Sequence, residues 1–134
     1  MLRTTQKLAF GLALVAVAAT PAAASAKGGD DDRRPEVRVG GSCTGGTTSK
    51  LKAKHDDGRL EVEFEVDQNT NGVRWKVKVR RNGGLVINTA RTTRPPSGSF
   101  SLERKIANPA GSDRITARAT SPSGEVCSAA LTIG

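Results

Sequence analysis

Residues 59–81 read RLEVEFEVDQNTNGVRWKVKVRR. In the first half Leu60, Val62, Phe64 and Val66 alternate with Glu61, Glu63, Glu65 and Asp67. In the second half Val73, Trp75, Val77 and Val79 alternate with Arg74, Lys76, Lys78 and Arg80. A strict period of two, rich in β-branched and aromatic residues, predicts two half-buried strands. One carries an acidic outer row, the other a basic one.

The same period recurs along the chain. Residues 50–55 set Lys50, Lys52 and Lys54 against Leu51, Ala53 and His55. Folding about Asp56-Asp57-Gly58-Arg59 pairs Lys54 with Glu61, Lys52 with Glu63 and Lys50 with Glu65. It also sets Ala53 opposite Val62 and Leu51 opposite Phe64. A slip of one residue would bury the charges, so the pattern fixes the register. Further strands are predicted over 85–91, after the turn Asn82-Gly83-Gly84, and over 99–106, 114–121 and 125–133. Residues 92–98 form an irregular loop with two prolines; Asn108-Pro109-Ala110-Gly111-Ser112 and Pro122-Ser123-Gly124 are turns.

Seven short strands with turn signals between them, and no helical periodicity, predict an all-β, antiparallel sandwich or barrel. Strand number and order over about 43–133 resemble an immunoglobulin or fibronectin type III domain, and Trp75 on the third strand resembles the core Trp of immunoglobulin domains. The resemblance implies a seven-stranded two-sheet sandwich. Two features depart from it. The sixth strand has no tyrosine corner. The cysteines do not match a bridge from second to sixth strand, since Cys43 precedes the first predicted strand and Cys127 lies in the last. The superfold implies no particular function.

Two topologies compete for the acidic strand. In a meander it lies between the first and third strands, pairing Glu65 with Arg74, Glu63 with Lys76 and Glu61 with Lys78. In the immunoglobulin-like arrangement the third strand joins the facing sheet. The acidic row then meets Lys50, Lys52 and Lys54 on one side and the strand of Glu103 and Lys105 on the other. The sandwich suits the strand number and loop lengths better. It leaves Arg74, Lys76, Lys78 and Arg80 beside Arg114 and Arg118 on one basic face.

The first 26 residues read as a cleaved secretory signal peptide. Arg3 and Lys7 precede an apolar run too short for a bilayer span, and Ala24-Ser25-Ala26 is a small-residue cleavage site. Residues 27–42 are expected to be a flexible polar tether and 43–134 a single domain. An exported chain with two cysteines predicts one disulfide, Cys43–Cys127, closing a loop worth about 4–5 kcal/mol in chain-entropy terms. The protein is expected to be secreted, without integral membrane association. Losing the leader lowers the formal charge from +8 to +6, which favours anionic partners such as wall polymer, acidic polysaccharide or nucleic acid; another protein is the remaining partner class expected.

Catalytic signals are absent. His55, the one histidine, stands at a strand end beside Asp56 and Asp57, and no serine lies in a nucleophile elbow. Asp30, Asp31 and Asp32 lack the spacing of a calcium loop. A non-catalytic module with no cofactor and no metal is expected. Its candidate site is the row Arg74, Lys76, Lys78, Arg80 and Arg81 with Arg114 and Arg118. The alternative is a protein-recognition or protease-inhibitor-like module using Arg91 and Arg94 on the loop at 91–98.

Overall fold

The computed structural model describes residues 35–134, so the expected leader and half of the expected tether lie outside the described residues. The described chain is all β. Its nine strands are β1 (Val37–Gly40), β2 (Ser42–Cys43), β3 (Thr48–Asp56), β4 (Arg59–Asp67), β5 (Arg74–Arg81), β6 (Gly84–Thr92), β7 (Ser99–Ala107), β8 (Asp113–Thr120) and β9 (Val126–Ile133). Two antiparallel sheets form, in the orders β1-β3-β4-β7 and β2-β9-β8-β5-β6.

The hairpin register follows the charge pattern. Lys50, Lys52 and Lys54 stand opposite Glu65, Glu63 and Glu61, and Leu51 and Ala53 opposite Phe64 and Val62. Asp57 and Gly58 both take positive φ in the β3–β4 turn, and Asn82 and Gly83 do so between β5 and β6. Such turns match the right-handed twist of paired strands.

The meander is excluded. The neighbours of β4 are β3 and β7, whereas β5 lies in the other sheet between β8 and β6. Inward rows from both sheets share one core. Leu51, Leu60, Phe64, Trp75, Val77 and Ile115 have no exposed surface in it. The Trp75 indole N–H donates to Gln68 Oε1 at 3.0 Å, so burying the ring leaves no polar atom unsatisfied.

Three expectations need correction. The strands number nine, not seven. Residues 27–42 are not wholly a tether, because β1 pairs with β3, placing Val37 and Val39 opposite Ala53 and Leu51. Cys43 does not precede the first strand. It lies in β2, directly opposite Cys127 of β9, and the two form the disulfide with Cα atoms 4.0 Å apart. The reason for all three is Gly41, which carries the chain from one sheet to the other in one residue. Its N–H bonds Ser49 O at 2.8 Å. A Cβ there would lie 2.0 Å from Ser49 Oγ and 2.8 Å from Ser128 O, so only glycine fits. Strands of four and two residues are too short to show a period.

Candidate functional site

The two outer faces differ in electrostatics. On the four-stranded sheet, cations and carboxylates interleave. Lys52 Nζ lies 2.9 Å from Glu63, Lys54 3.5 Å from Glu61, Lys50 3.8 Å from Glu65, and Lys105 3.0 Å from Asp56. Hydrogen bonding to Lys52 holds the Glu63 carboxyl below its usual range, and that to Lys105 does the same for Asp56. Both contribute stability that is present above the ordinary carboxylate range and is lost as the pH falls through their lowered values.

Glu103 behaves oppositely. It stands directly opposite Glu63, and a hydrogen bond with Glu61, with repulsion from Glu61 and Glu63, raises its carboxyl. Its favourable contribution is present in acid and lost as it ionises. Glu103→Lys should therefore raise Tm at pH 7 by about one to three degrees, and leave it unraised near pH 3. Thermal melts at the two pH values check this.

The outer face of the five-stranded sheet has no such compensation. Arg74, Lys76, Lys78 and Arg80 are exposed along β5, and Arg114 and Arg118 along β8. Lys78 is directly opposite Arg118, while Lys76 and Arg80 face Thr120 and Thr116. On the other side of β5, Arg74, Lys76 and Lys78 face Thr92, Ala90 and Asn88. Ser128, Ala130 and Thr132 continue the face on β9. No strand position on this face carries a carboxylate, and among the described residues none of the six cations is in an ion pair. Residues 35–134 contain sixteen Lys and Arg and ten Asp and Glu. The ten cations elsewhere balance the ten carboxylates, so the domain's net charge resides on this face. At two residues per step the β5 row places its charges about 7 Å apart. At its Arg74 end lies a cleft of 400 Å³ lined by Arg74, Lys76, Thr120, Ser121 and Pro122.

Arg81 does not belong to the row. Its Nε lies 3.9 Å from Oδ1 of buried Asp113, and its Nη1 donates to Ala107 O. Asn82 then ties the turn to β8. Its side-chain amide donates to Asp113 Oδ1 at 3.1 Å, and its Oδ1 accepts the Arg114 N–H at 2.8 Å.

His55 is a buried, satisfied side chain. Its Nε2 lies 3.1 Å from Gly134 O and its Nδ1 3.1 Å from Asn108 Nδ2, so the ring donates to the carbonyl and accepts from the amide. Asp57 lies in the turn.

The loop after β6 folds back on the molecule. Buried Thr93 donates its hydroxyl to Thr70 O at 2.6 Å and accepts the Val73 N–H at 2.9 Å. Arg94 donates its N–H to Ser99 O, and its carbonyl accepts from Gly98 and Ser99. Both halves of the Arg94 backbone are thus committed within a closed turn. Thr93→Val should leave Thr70 O and Val73 N–H without that hydroxyl at a cost of about 1–3 kcal/mol, measured by urea unfolding. Arg91 and Arg94 nevertheless come together. With Glu65, Thr92, Ser99, Phe100 and Ser101 they line a cleft of 500 Å³ at the edge between β6 and β7. Sequence reading missed both clefts, because each joins residues from separate strands and no local period marks them. No protein-family model matches the chain, and no curated protein is significantly similar to it.

Proposed function

We propose that the protein is an exported, non-catalytic module with an immunoglobulin-like sandwich fold, and that it binds a linear anionic polymer through the basic face of its five-stranded sheet. The observation that carries this reading is the set of six exposed cations, unpaired among the described residues, on one face without a carboxylate. A sheet face with unpaired like charges forgoes the cross-strand pairs that the other sheet uses between β3 and β4. A polyanion supplies the missing partner. Four of the six are arginines, whose planar forks suit phosphate, sulfate and carboxylate oxygens. Neighbouring Thr, Ser and Asn side chains add neutral donors. Trp75, Phe64 and Phe100 are all buried, so recognition proceeds through charge and hydroxyl groups and not through stacking on sugars or bases.

The test is the salt dependence of binding to heparin and to a polyphosphate. The dissociation constant should rise steeply with salt, because each contact releases counterions. Passage through a heparin column at low salt without retention would overturn the reading.

A further inference from the structure

The sheet edges point to a second surface. An open edge strand presents unpaired N–H and C=O groups, and natural domains guard it by shortness, charge, proline or cover. Here β1 has four residues and carries Arg38, and β2 has two. The edge of β9 is met by β2 at Cys127 and Ser128, with β1 and β3 packed against it. The edge strand β7 carries Glu103, Arg104 and Lys105 in succession. β6 is different. It is nine residues long, bonded on one side only, and uncharged from Gly84 to Ala90. A bulge opposite Val79 and Arg80 disrupts its first residues, which leaves 87–92 as a regular run whose one charge is Arg91. Leu85, at its start, is the exposed large hydrophobic of the described chain, at 47%.

The surroundings of this run are basic. Arg91 and Arg94 line the cleft at its C-terminal end. Arg91 Nη1 bonds only Thr89 Oγ1 and Ala90 O, and neither arginine has a carboxylate partner among the described residues. The one carboxylate of the cleft, Glu65, pairs with Lys50. On the solvent side, the basic row of β5 lies one strand inward.

We propose that the open edge of β6, with the cleft at its end, docks an extended acidic segment of a partner protein, which adds to the sheet as a further strand and sets a carboxylate beside Arg91 and Arg94. Backbone pairing supplies affinity, and alternate side chains supply specificity. Ile87, Thr89 and Arg91 share the core-facing side. The matching segment therefore carries an apolar residue beside Ile87 and an acidic one beside Arg91, four positions apart. A second copy of the chain fits poorly. Its β6 has no carboxylate and would bring another Arg91. The site is separate from the basic face and does not depend on polymer binding.

The probe is a synthetic peptide of about eight residues that carries Val at one position and Glu four positions on, in the same alternating row, with Thr elsewhere, and its control has Lys in place of the Glu. Amide hydrogen exchange is followed along the chain. Binding of the Glu peptide should slow exchange at 87–92, and the Lys peptide should bind about tenfold or more weakly. The double variant Arg91→Glu, Arg94→Glu should invert that preference. Lys78→Glu with Arg118→Glu, on the other surface, should leave protection of β6 in place, which separates this proposal from the polymer reading. Unchanged exchange at 87–92 under millimolar peptide, equal binding of the two peptides, or protection that grows with protein concentration alone would each overturn it. The last outcome would make the occupant a second copy.

Discussion

Replacing Cys43 and Cys127 together by alanine is expected to cost about 4 kcal/mol, a large share of the roughly 5–15 kcal/mol available to a domain of this size. The bridge spans 84 positions and encloses six of the nine strands, β3 to β8. Without it, the unfolded chain regains the entropy of an open loop. The native state loses less. β2 remains tied to β9 by Thr44 N–H to Val126 O at 2.9 Å and by Val126 N–H to the Thr44 hydroxyl at 3.0 Å. The effect should therefore fall on the unfolded state, and its signature is a lower urea midpoint with an increased m-value, since the open chain exposes more surface. A loss below about 1 kcal/mol would mean that the bridge only staples an edge that already holds.

Alanine is the informative replacement. Cys127 is fully buried among apolar side chains, and a serine hydroxyl there would add a desolvation cost unrelated to the bridge.

How much of this could be read from the chain depends on what each feature needs. The β3–β4 hairpin was legible because both strands alternate without error and their charges complement in only one register. The assignment of β5 to the opposite sheet was less so. Its basic row complements the acidic row of β4 equally well on paper, and the choice rests on strand number and loop lengths. Burial decides it: Trp75 packs with its ring centroid 6.4 Å from that of Phe100, on β7 of the facing sheet. An extended piece is legible at Val37–Val39, but its pairing and the whole of β2 are not, because four and two residues carry no period and their partners are set by long-range contacts. The basic row itself was visible in the sequence. That it lacks a carboxylate partner follows from the sequence only once the sandwich topology is chosen, because it depends on β6, β8 and β9 supplying only neutral or basic neighbours. Arg81 shows the limit of counting charges. One residue beyond the row, it turns toward Asp113, a partner thirty-two positions away in the chain.

Reversing charge at Lys78 and Arg118 is expected to weaken binding of a linear polyanion about a hundredfold or more at low salt, and to lower the slope of log Kd against log salt by about 1.5–2. The two residues are directly opposed across β5 and β8, so Lys78→Glu with Arg118→Glu places two carboxylates in the middle of the face. Two contacts vanish, and the remaining four cations acquire partners inside the protein. Folding should be little affected, since both side chains are exposed and the new charges relieve repulsion. An equal Tm, or a slightly higher one, is the check. The decisive comparison is Lys50→Glu with Lys54→Glu, which changes the net charge by the same amount on the opposite face. Those lysines are already paired with Glu65 and Glu61. If the contiguous face is what binds, this second variant keeps nearly all the affinity and the full salt slope. If the polymer responds only to net charge, the two variants weaken alike, and the basic face of β5 and β8 is a solvated surface with no dedicated partner.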